Sequence, residues 1–408
     1  MPHSIFISAG EASGEHYGAL LATELRRQLS ADGLPVELTG MGGPRMAAAG
    51  VNCIVRAEDM AVMGLTEVVL HLPRIYREFR KLKRAIRANP PTVAVLIDFP
   101  EINFRLAREF HRLGVPVIFF VSPQLWAWKQ HRIKLVREYV RRMLVIFPFE
   151  ESYYRARGVE AEFIGHPLAD LPQPSISREQ FAAENHLDPT RTPNREWIGL
   201  LPGSRLPEIL KNLPEMLAAA TLLGDIYEYV IPLAPTLTMP QIEIIQRQLA
   251  AGTKSARLPR ITFVHDARAT LFHARASIVA SGTATVEAAL IGNPFVVVYR
   301  VSPLTYAIAK RMVKVPHVAM ANLIAGKRVV PELIQNDFTA ANIVQHISPL
   351  LPDGTARESM RMELGAVREA LQGHSVNQQG QTAIERVAAI VVQEVEKAYP
   401  ASAHAAQP

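Results

Sequence analysis

The stretch Ser281-Gly-Thr-Ala-Thr-Val-Glu287 joins small and hydroxyl-bearing residues to one carboxylate at a set spacing. It follows an apolar run, Ala276–Ala280, with the character of a buried parallel strand, and continues through Ala288-Ala-Leu290 until Gly292-Asn-Pro294 stops the helix. A strand that breaks at Ser281-Gly282-Thr283 and re-enters a helix leaves free N–H groups at the helix start, and these donors with the helix dipole suit a phosphate. Glu287 lies four residues after Thr283, on the same helix face, where a carboxylate can accept both hydroxyls of a ribose. The plainer alternative is an ordinary turn capped by Thr283 with Glu287 in solvent. A second turn of this kind, Pro202-Gly203-Ser204-Arg205, follows the apolar strand Trp197–Leu201; its guanidinium can pair two oxygens of a diphosphate at once.

The first half of the chain carries a different chemistry. Thr92-Val-Ala-Val-Leu-Ile-Asp98-Phe-Pro sets a carboxylate at the tip of a wholly apolar strand. Dry surroundings raise the pKa of such a group and fit it to act as a general base; the alternative is that Asp98 caps the helix starting near Glu101. Gly10-Glu11-Ala12-Ser13-Gly14-Glu15-His16 follows the strand Ser4–Ala9, and its two glycines permit close approach to the backbone. Glu11, Ser13, Glu15 and His16 are then candidates for the carboxyl end of that strand, with Glu15 and His16 as catalytic partners of Asp98, or else they are capping and solvated residues. Trp126 and Trp128 stand in the loop after the strand Val117–Val121, where they can line an acceptor groove or stack on a sugar, or pack on a neighbouring helix.

These motifs require strands that alternate with helices. Strand, glycine-rich turn and helix open the chain, and the same grammar restarts at Trp197, so we expect an α/β protein of two Rossmann-like, doubly wound domains with ligands at the facing carboxyl ends of the sheets. The expected boundaries are 1–170, 171–340 and a C-terminal helical segment, 341–408. The chain has 408 residues, 49% hydrophobic, with a formal charge of +6, which favours anionic partners. Its one cysteine, Cys53, excludes an internal disulfide and suits a reducing cytoplasm. Ser4–Ala9 enters a glycine turn without a basic flank, so no signal peptide is expected, and no apolar run reaches the roughly 18 residues of a spanning helix. The apolar segment Met60–Leu72, with Met63, Leu65, Val68, Val69 and Leu72, precedes a helix bearing Arg74, Arg77, Arg80, Lys81, Lys83, Arg84 and Arg87. That pairing suits an anionic membrane surface, or equally a core helix with a solvated basic face. The arginines flank an apolar patch instead of interleaving with aromatics, which argues against nucleic acid. Zinc spacing, a Walker lysine loop and a Gly-x-Ser-x-Gly elbow are absent, so no metal and no cofactor are expected.

Several motifs together resemble the lipid-A-disaccharide synthases: Gly10-Glu-Ala-Ser-Gly14, Asp98 with Pro100 and Asn103, Ser122-Pro123 with Trp126-Ala-Trp128, Gly165-His-Pro167, Leu201-Pro-Gly-Ser-Arg205, Ser281-Gly-Thr283 with Glu287, and Pro331-Glu332-Leu-Ile-Gln335. The resemblance runs from about residue 4 to the last helix. It implies a GT-B fold with the C-terminal helices packed back on the N-terminal domain, and an inverting, metal-independent glycosyltransferase. The implied reaction joins UDP-2,3-diacylglucosamine to the 6-hydroxyl of 2,3-diacylglucosamine 1-phosphate, giving a β-1,6 disaccharide and UDP. Asp98 becomes the base, Arg205 and Ser281–Thr283 the diphosphate site, and Glu287 the ribose partner. Asn103 belongs to the substrate side, while Asn322, Glu332 and Gln335 belong to the donor pocket. Met60–Leu72 matches the family's membrane-facing patch, on the cytoplasmic surface of the inner membrane, and a homodimer is implied. Glu15 and Glu101 stand where aspartates are frequent, and Gln124 replaces a small residue. A UDP-sugar epimerase of the same fold and a basic nucleic-acid-binding protein are the alternatives.

Overall fold

The computed structural model describes residues 3–31, 36–60, 65–187, 195–252, 259–302, 306, 315–373 and 380–398, without the side chains of 31, 65–71 and 250–252. Two compact units emerge, Met1–Asp170 with Leu371–Pro408, and Leu171–Ala370.

The first unit holds seven parallel strands: β1 (His3–Ala9), β2 (Val36–Gly42), β3 (Asn52–Arg56), β4 (Val93–Ile97), β5 (Val117–Phe120), β6 (Arg142–Val145) and β7 (Ala161–Phe163), in the order β3-β2-β1-β4-β5-β6-β7. Its central strands are apolar on both faces: every residue of β4 and of β5 is buried. A parallel sheet covered by helices on both sides demands this continuous run of Val, Ile, Leu and Phe. β1 sits between β2 and β4, with Ile5 opposite Val93 and Ala9 opposite Ile97. The order therefore reverses between β1 and β4, and the crevice where ligands bind in such sheets opens there.

The second unit repeats the scheme with six parallel strands, β8 (Trp197–Leu201), β9 (Glu228–Pro232), β10 (Ile261–Val264), β11 (Ala276–Ala280), β12 (Phe295–Tyr299) and β13 (Glu332–Ile334), ordered β10-β9-β8-β11-β12-β13. Here the reversal lies between β8 and β11, where Ile198 faces Ala276. The doubly wound α/β architecture expected from the alternating pattern is thus present in each unit. Of the terminal helices, Ala340–Ile347 packs on Leu206–Leu223 in the second unit, whereas Ala383–Ala398 packs on Ala12–Ala31 in the first. Val387, Val391 and Val395, spaced by four, are fully buried on that last helix.

The basic segment forms one helix, Leu65–Ala88, that runs through Pro73. Met63 lies outside the described residues, as do the side chains of Leu65, Val68 and Val69; Leu72 is 51% exposed. Among the described residues no helix is long and apolar enough to cross a membrane.

Leu21, on the helix Ala12–Ala31, has no solvent exposure. Leu21→Ala is expected to lower unfolding free energy by about 2–5 kcal/mol in urea melts, through lost burial and the cavity left behind.

Candidate active site

The first unit assembles its polar residues at the tips of β1, β4 and β5. The helix after β1 begins at Ala12, so Ser13, Gly14, Glu15 and His16 form its first turns instead of a loop. Glu15 accepts the N–H of Arg45 at 2.7 Å and so caps the short helix Pro44–Ala48, whose N-cap residue, Gly43, offers no side chain. A side chain at Gly43 would collide with the Glu15 carboxylate. His16 is half-buried, and burial followed by the nearby Arg45 charge lowers its pKa, favouring neutral imidazole. The space above Gly10 is filled by the Phe99 ring, which any Cβ there would strike.

Asp98 leaves β4 with φ of 47° and Phe99 follows with φ of 46°, two consecutive non-glycine residues in the left-handed region. The helix Pro100–Arg112 starts behind them with Phe99 at its N-cap and without a side-chain cap. The alternative of Asp98 as that helix's cap is therefore not realised. Its carboxyl is pushed up to about 7, first by burial and then by the negative charge of Glu11, against a favourable N–H from Phe99. Asn103 is fully buried: its amide donates to the carbonyls of Ile97 at 3.1 Å and Asp98 at 2.6 Å, and its oxygen accepts from Ser8 at 2.7 Å. Both of its donors are engaged inside the protein, which turns an expected substrate contact into a framework residue.

The two tryptophans divide. Trp126 is buried and donates its indole N–H to Glu150 at 3.0 Å, whereas Trp128 is 38% exposed with Lys129 Nζ 4.0 Å from its ring centre. Lys129 and Arg132 each approach the Glu101 carboxylate at 3.0 Å. Burial raises the pKa of Glu101, but these two cations outweigh it and the net shift is downward. Glu150 was not among the expected residues. It is 1% exposed, accepts from Ser122 at 2.6 Å and from the Phe147 N–H at 3.1 Å, and burial pushes it to about 7 despite those bonds. Its sequence signal is an acid two residues after Pro148, the third helical position of Pro148–Arg155, from which the carboxylate reaches back to the N–H of the N-cap residue Phe147.

In the second unit the β11 tip matches the expected turn. Gly282 has φ of 151°, which favours glycine, and no atom lies within 4 Å of where a Cβ would stand. The helix Thr283–Ile291 begins there without a capping side chain; Thr283 is exposed, and Thr285 instead donates its hydroxyl back to the Gly282 carbonyl at 2.7 Å. Its first N–H groups consequently meet an open, glycine-lined approach. Glu287 is half-buried and has no hydrogen bond or ion pair among the described residues. Burial raises its pKa, partly offset by Arg268. At the neighbouring β8 tip, Gly203 has φ of 127° and Arg205 stands at the N-cap of Leu206–Leu223, its guanidinium 3.9 Å from Glu208. Ser204 is exposed, and its carbonyl accepts from Thr236.

Asn322 and Glu332 are tied to each other. The Asn322 amide donates to Glu332 at 2.8 Å and to the Val330 carbonyl at 2.9 Å, while Glu332 also accepts the N–H groups of Val318 and Ala319. Gln335, with φ of 55°, follows the β13 tip and donates to the Val301 carbonyl at 3.3 Å. Among the described residues no three His, Cys, Asp or Glu side chains group as metal ligands.

A family model described as lipid-A-disaccharide synthetase matches residues 5–387. A lipid-A-disaccharide synthase from Acidobacterium capsulatum is 62% identical over 390 residues, covering 94% of each chain. The chain belongs to the lipid-A-disaccharide synthetase family. Two solved structures share the fold at low identity. The glycotransferase of kitacinnamycin has a TM-score of 0.60 and 16% identity, covering 96% of this chain and 99% of that one. A UDP-GlcNAc 2-epimerase from Neisseria meningitidis bound to UDP-GlcNAc has a TM-score of 0.55 and 11% identity, covering 97% and 100%. Architecture alone therefore does not separate sugar transfer from epimerisation. Membership of the synthetase family does, and the chain is a glycosyltransferase of lipid A biosynthesis, a hexosyltransferase; the epimerase and nucleic-acid alternatives are disfavoured.

For this member of the family, the raised carboxyl of Asp98 makes a stability signature. The folded pKa, about 7, lies above the ordinary 3.8, so between those values the native state binds the extra proton and stability falls as pH rises. Asp98→Asn is expected to unfold with wild-type free energy near pH 4 and to be more stable than wild type at pH 8, by roughly 1–4 kcal/mol. Urea melts at the two pH values check this.

Proposed function

We propose that the chain transfers the diacylglucosaminyl group of UDP-2,3-diacylglucosamine to the 6-hydroxyl of 2,3-diacylglucosamine 1-phosphate, forming the β-1,6-linked disaccharide 1-phosphate and UDP. The observation that carries the mechanism is the condition of Asp98, a half-buried carboxyl at a strand tip, raised to about 7 and not employed as a helix cap. A group of that pKa accepts a proton efficiently near neutral pH. As the acceptor oxygen attacks the anomeric carbon, its proton passes to Asp98 and the bond to UDP breaks on the opposite face. One displacement inverts the centre, so one base suffices. The departing diphosphate gains charge, which the first N–H groups of Thr283–Ile291 and the Arg205 guanidinium stabilise, by several kcal/mol in comparable sites. Glu287, without a hydrogen bond or ion pair among the described residues, takes the ribose hydroxyls. Gln335 and the loop held by Asn322 and Glu332 border the donor. Glu11, Ser13, Glu15 and His16 border the acceptor, Glu15 through the loop it caps, and Trp128 offers its exposed ring to the acceptor sugar.

The protein acts at the cytoplasmic surface of the inner membrane as a peripheral homodimer. Support for the membrane contact comes from the helix Leu65–Ala88. Leu72 and Tyr76 are 51% and 63% exposed, and Arg80 and Arg84 follow on the same face at intervals of four. Arg80, Lys81 and Arg84 are exposed and have no ion pair among the described residues, so their charge remains available to anionic headgroups.

Asp98→Ala is expected to lower kcat by roughly 10²–10⁴ with UDP affinity unchanged, and wild-type kcat/KM to rise with pH through about 7. Equal loss of turnover and UDP binding would mean a structural role. Arg205→Lys is expected to raise KM for the donor, because the forked geometry is lost; unchanged kinetics would remove Arg205 from the site. In flotation with phosphatidylglycerol vesicles, replacing Arg80, Lys81 and Arg84 together by Ala should move the protein to the unbound fraction without altering its melt.

A further inference from the structure

The residues around Asp98 are locked from three sides. Ser8, on β1, is fully buried and donates to Asn103 Oδ1 at 2.7 Å. Asn103 in turn holds the carbonyls of Ile97 and Asp98, and its own N–H donates to the Phe99 carbonyl at 3.0 Å. The Phe99 ring lies against Gly10 and occupies the space a side chain there would take. These contacts span the sheet reversal, since Ser8 and Ala9 face Leu96 and Ile97 across the β1–β4 ladder.

Such a lock is needed because the backbone it holds is unfavourable. Left-handed conformations at two successive non-glycine residues cost of order 1–2 kcal/mol each, and a carboxylate just ahead of a helix has an obvious alternative. Relaxed to extended backbone, the Asp98 side chain would fold onto the Glu101 N–H, the first donor of Pro100–Arg112 because Pro100 has none and Ile102 and Asn103 already donate to the Phe99 carbonyl. There it would act as a cap and be withdrawn from any substrate.

We infer that the buried Ser8–Asn103 pair is a positioning device that keeps Asp98 in its strained, substrate-facing conformation and out of the helix cap. The inference rests on Asp98 being the base. Neither Ser8 nor Asn103 touches substrate; both act through the backbone of Ile97–Phe99. Capping bonds favour the ionised carboxylate, so release of the lock also moves the titration of Asp98 downward.

The test compares Ser8→Ala, Asn103→Ala and Asp98→Asn with wild type in the full-length protein, reading kcat, both KM values, UDP affinity and stoichiometry, and the acid limb of the kcat profile. Ser8→Ala and Asn103→Ala are expected to lose about ten- to a hundredfold in kcat. UDP affinity and stoichiometry should stay within about twofold of wild type, and the acid limb should move to lower pH by at least about one unit. Ser8→Ala keeps the test open should Asn103→Ala fail to fold. Wild-type turnover, or losses that track UDP stoichiometry with an unmoved acid limb, would overturn the positioning role while leaving the base assignment intact. Wild-type turnover in Asp98→Asn would overturn the base assignment and this inference with it.

Discussion

Parallel strands deliver every carboxyl end to the same edge, and where strand order reverses the flanking helices part and leave that edge uncovered. Both units are built around this constraint. In the first, the reversal separates β1 from β4 and exposes the start of Ala12–Ala31 beside Asp98; in the second, it separates β8 from β11 and exposes the turns ending at Arg205 and Thr283. The backbone thus places strand tips and helix starts together at four places, and the side chains proposed to carry the chemistry stand there. The helices and buried valines elsewhere serve to keep the twisted parallel strands covered.

Strain marks the same edges. Six non-glycine residues have positive φ among the described ones, and four of them, Asp98, Phe99, Val121 and Gln335, directly follow the ends of β4, β5 or β13. Val121 is the most telling, because a β-branched side chain resists that region strongly. Each strained exit from the first sheet is matched by a buried polar anchor: Asn103 behind Asp98, and Glu150 behind Ser122. Strain of this kind persists only where surrounding contacts over-determine it, and it concentrates where a side chain must be aimed.

Much of this was legible from residue types. Uniform apolar runs identified the parallel strands, and a glycine at the break after Ala280 identified the turn into the helix Thr283–Ile291, because both follow from local rules. The plain position of Asp98 at an apolar strand tip was legible too. What local rules did not reach was how polar groups use each other. Asn103 and Asn322 look like ligand contacts by type and motif, yet their amides are satisfied across 95 and 10 residues of sequence, by Ser8 and Glu332. Glu15 reads as a catalytic acid and is bound to the Arg45 N–H, 30 residues on. Glu150 had a capping signature, but its burial depends on Trp126 and Ser122, which only the packed loop brings to it. The pairings of Asn103 with Ser8 and of Glu15 with Arg45 depend on which strands lie side by side, and no short window of sequence contains them.

In the proposed reaction the two units face opposite electrostatic problems, and their residues differ accordingly. A leaving diphosphate gains negative charge, so a donor site needs fixed dipoles and a cation with little side-chain bulk in the way; an open glycine, an uncapped helix and one arginine satisfy that need. A base for an alcohol must hold a proton loosely near neutrality, so it needs burial, a neighbouring carboxylate such as Glu11 and few donors. The N–H groups that would suit a diphosphate would ruin Asp98 by lowering its pKa. On the proposed reaction, keeping that carboxylate away from the adjacent helix start matters as much as placing Arg205 beside one, and the left-handed backbone at Asp98 and Phe99 lies where that separation is needed.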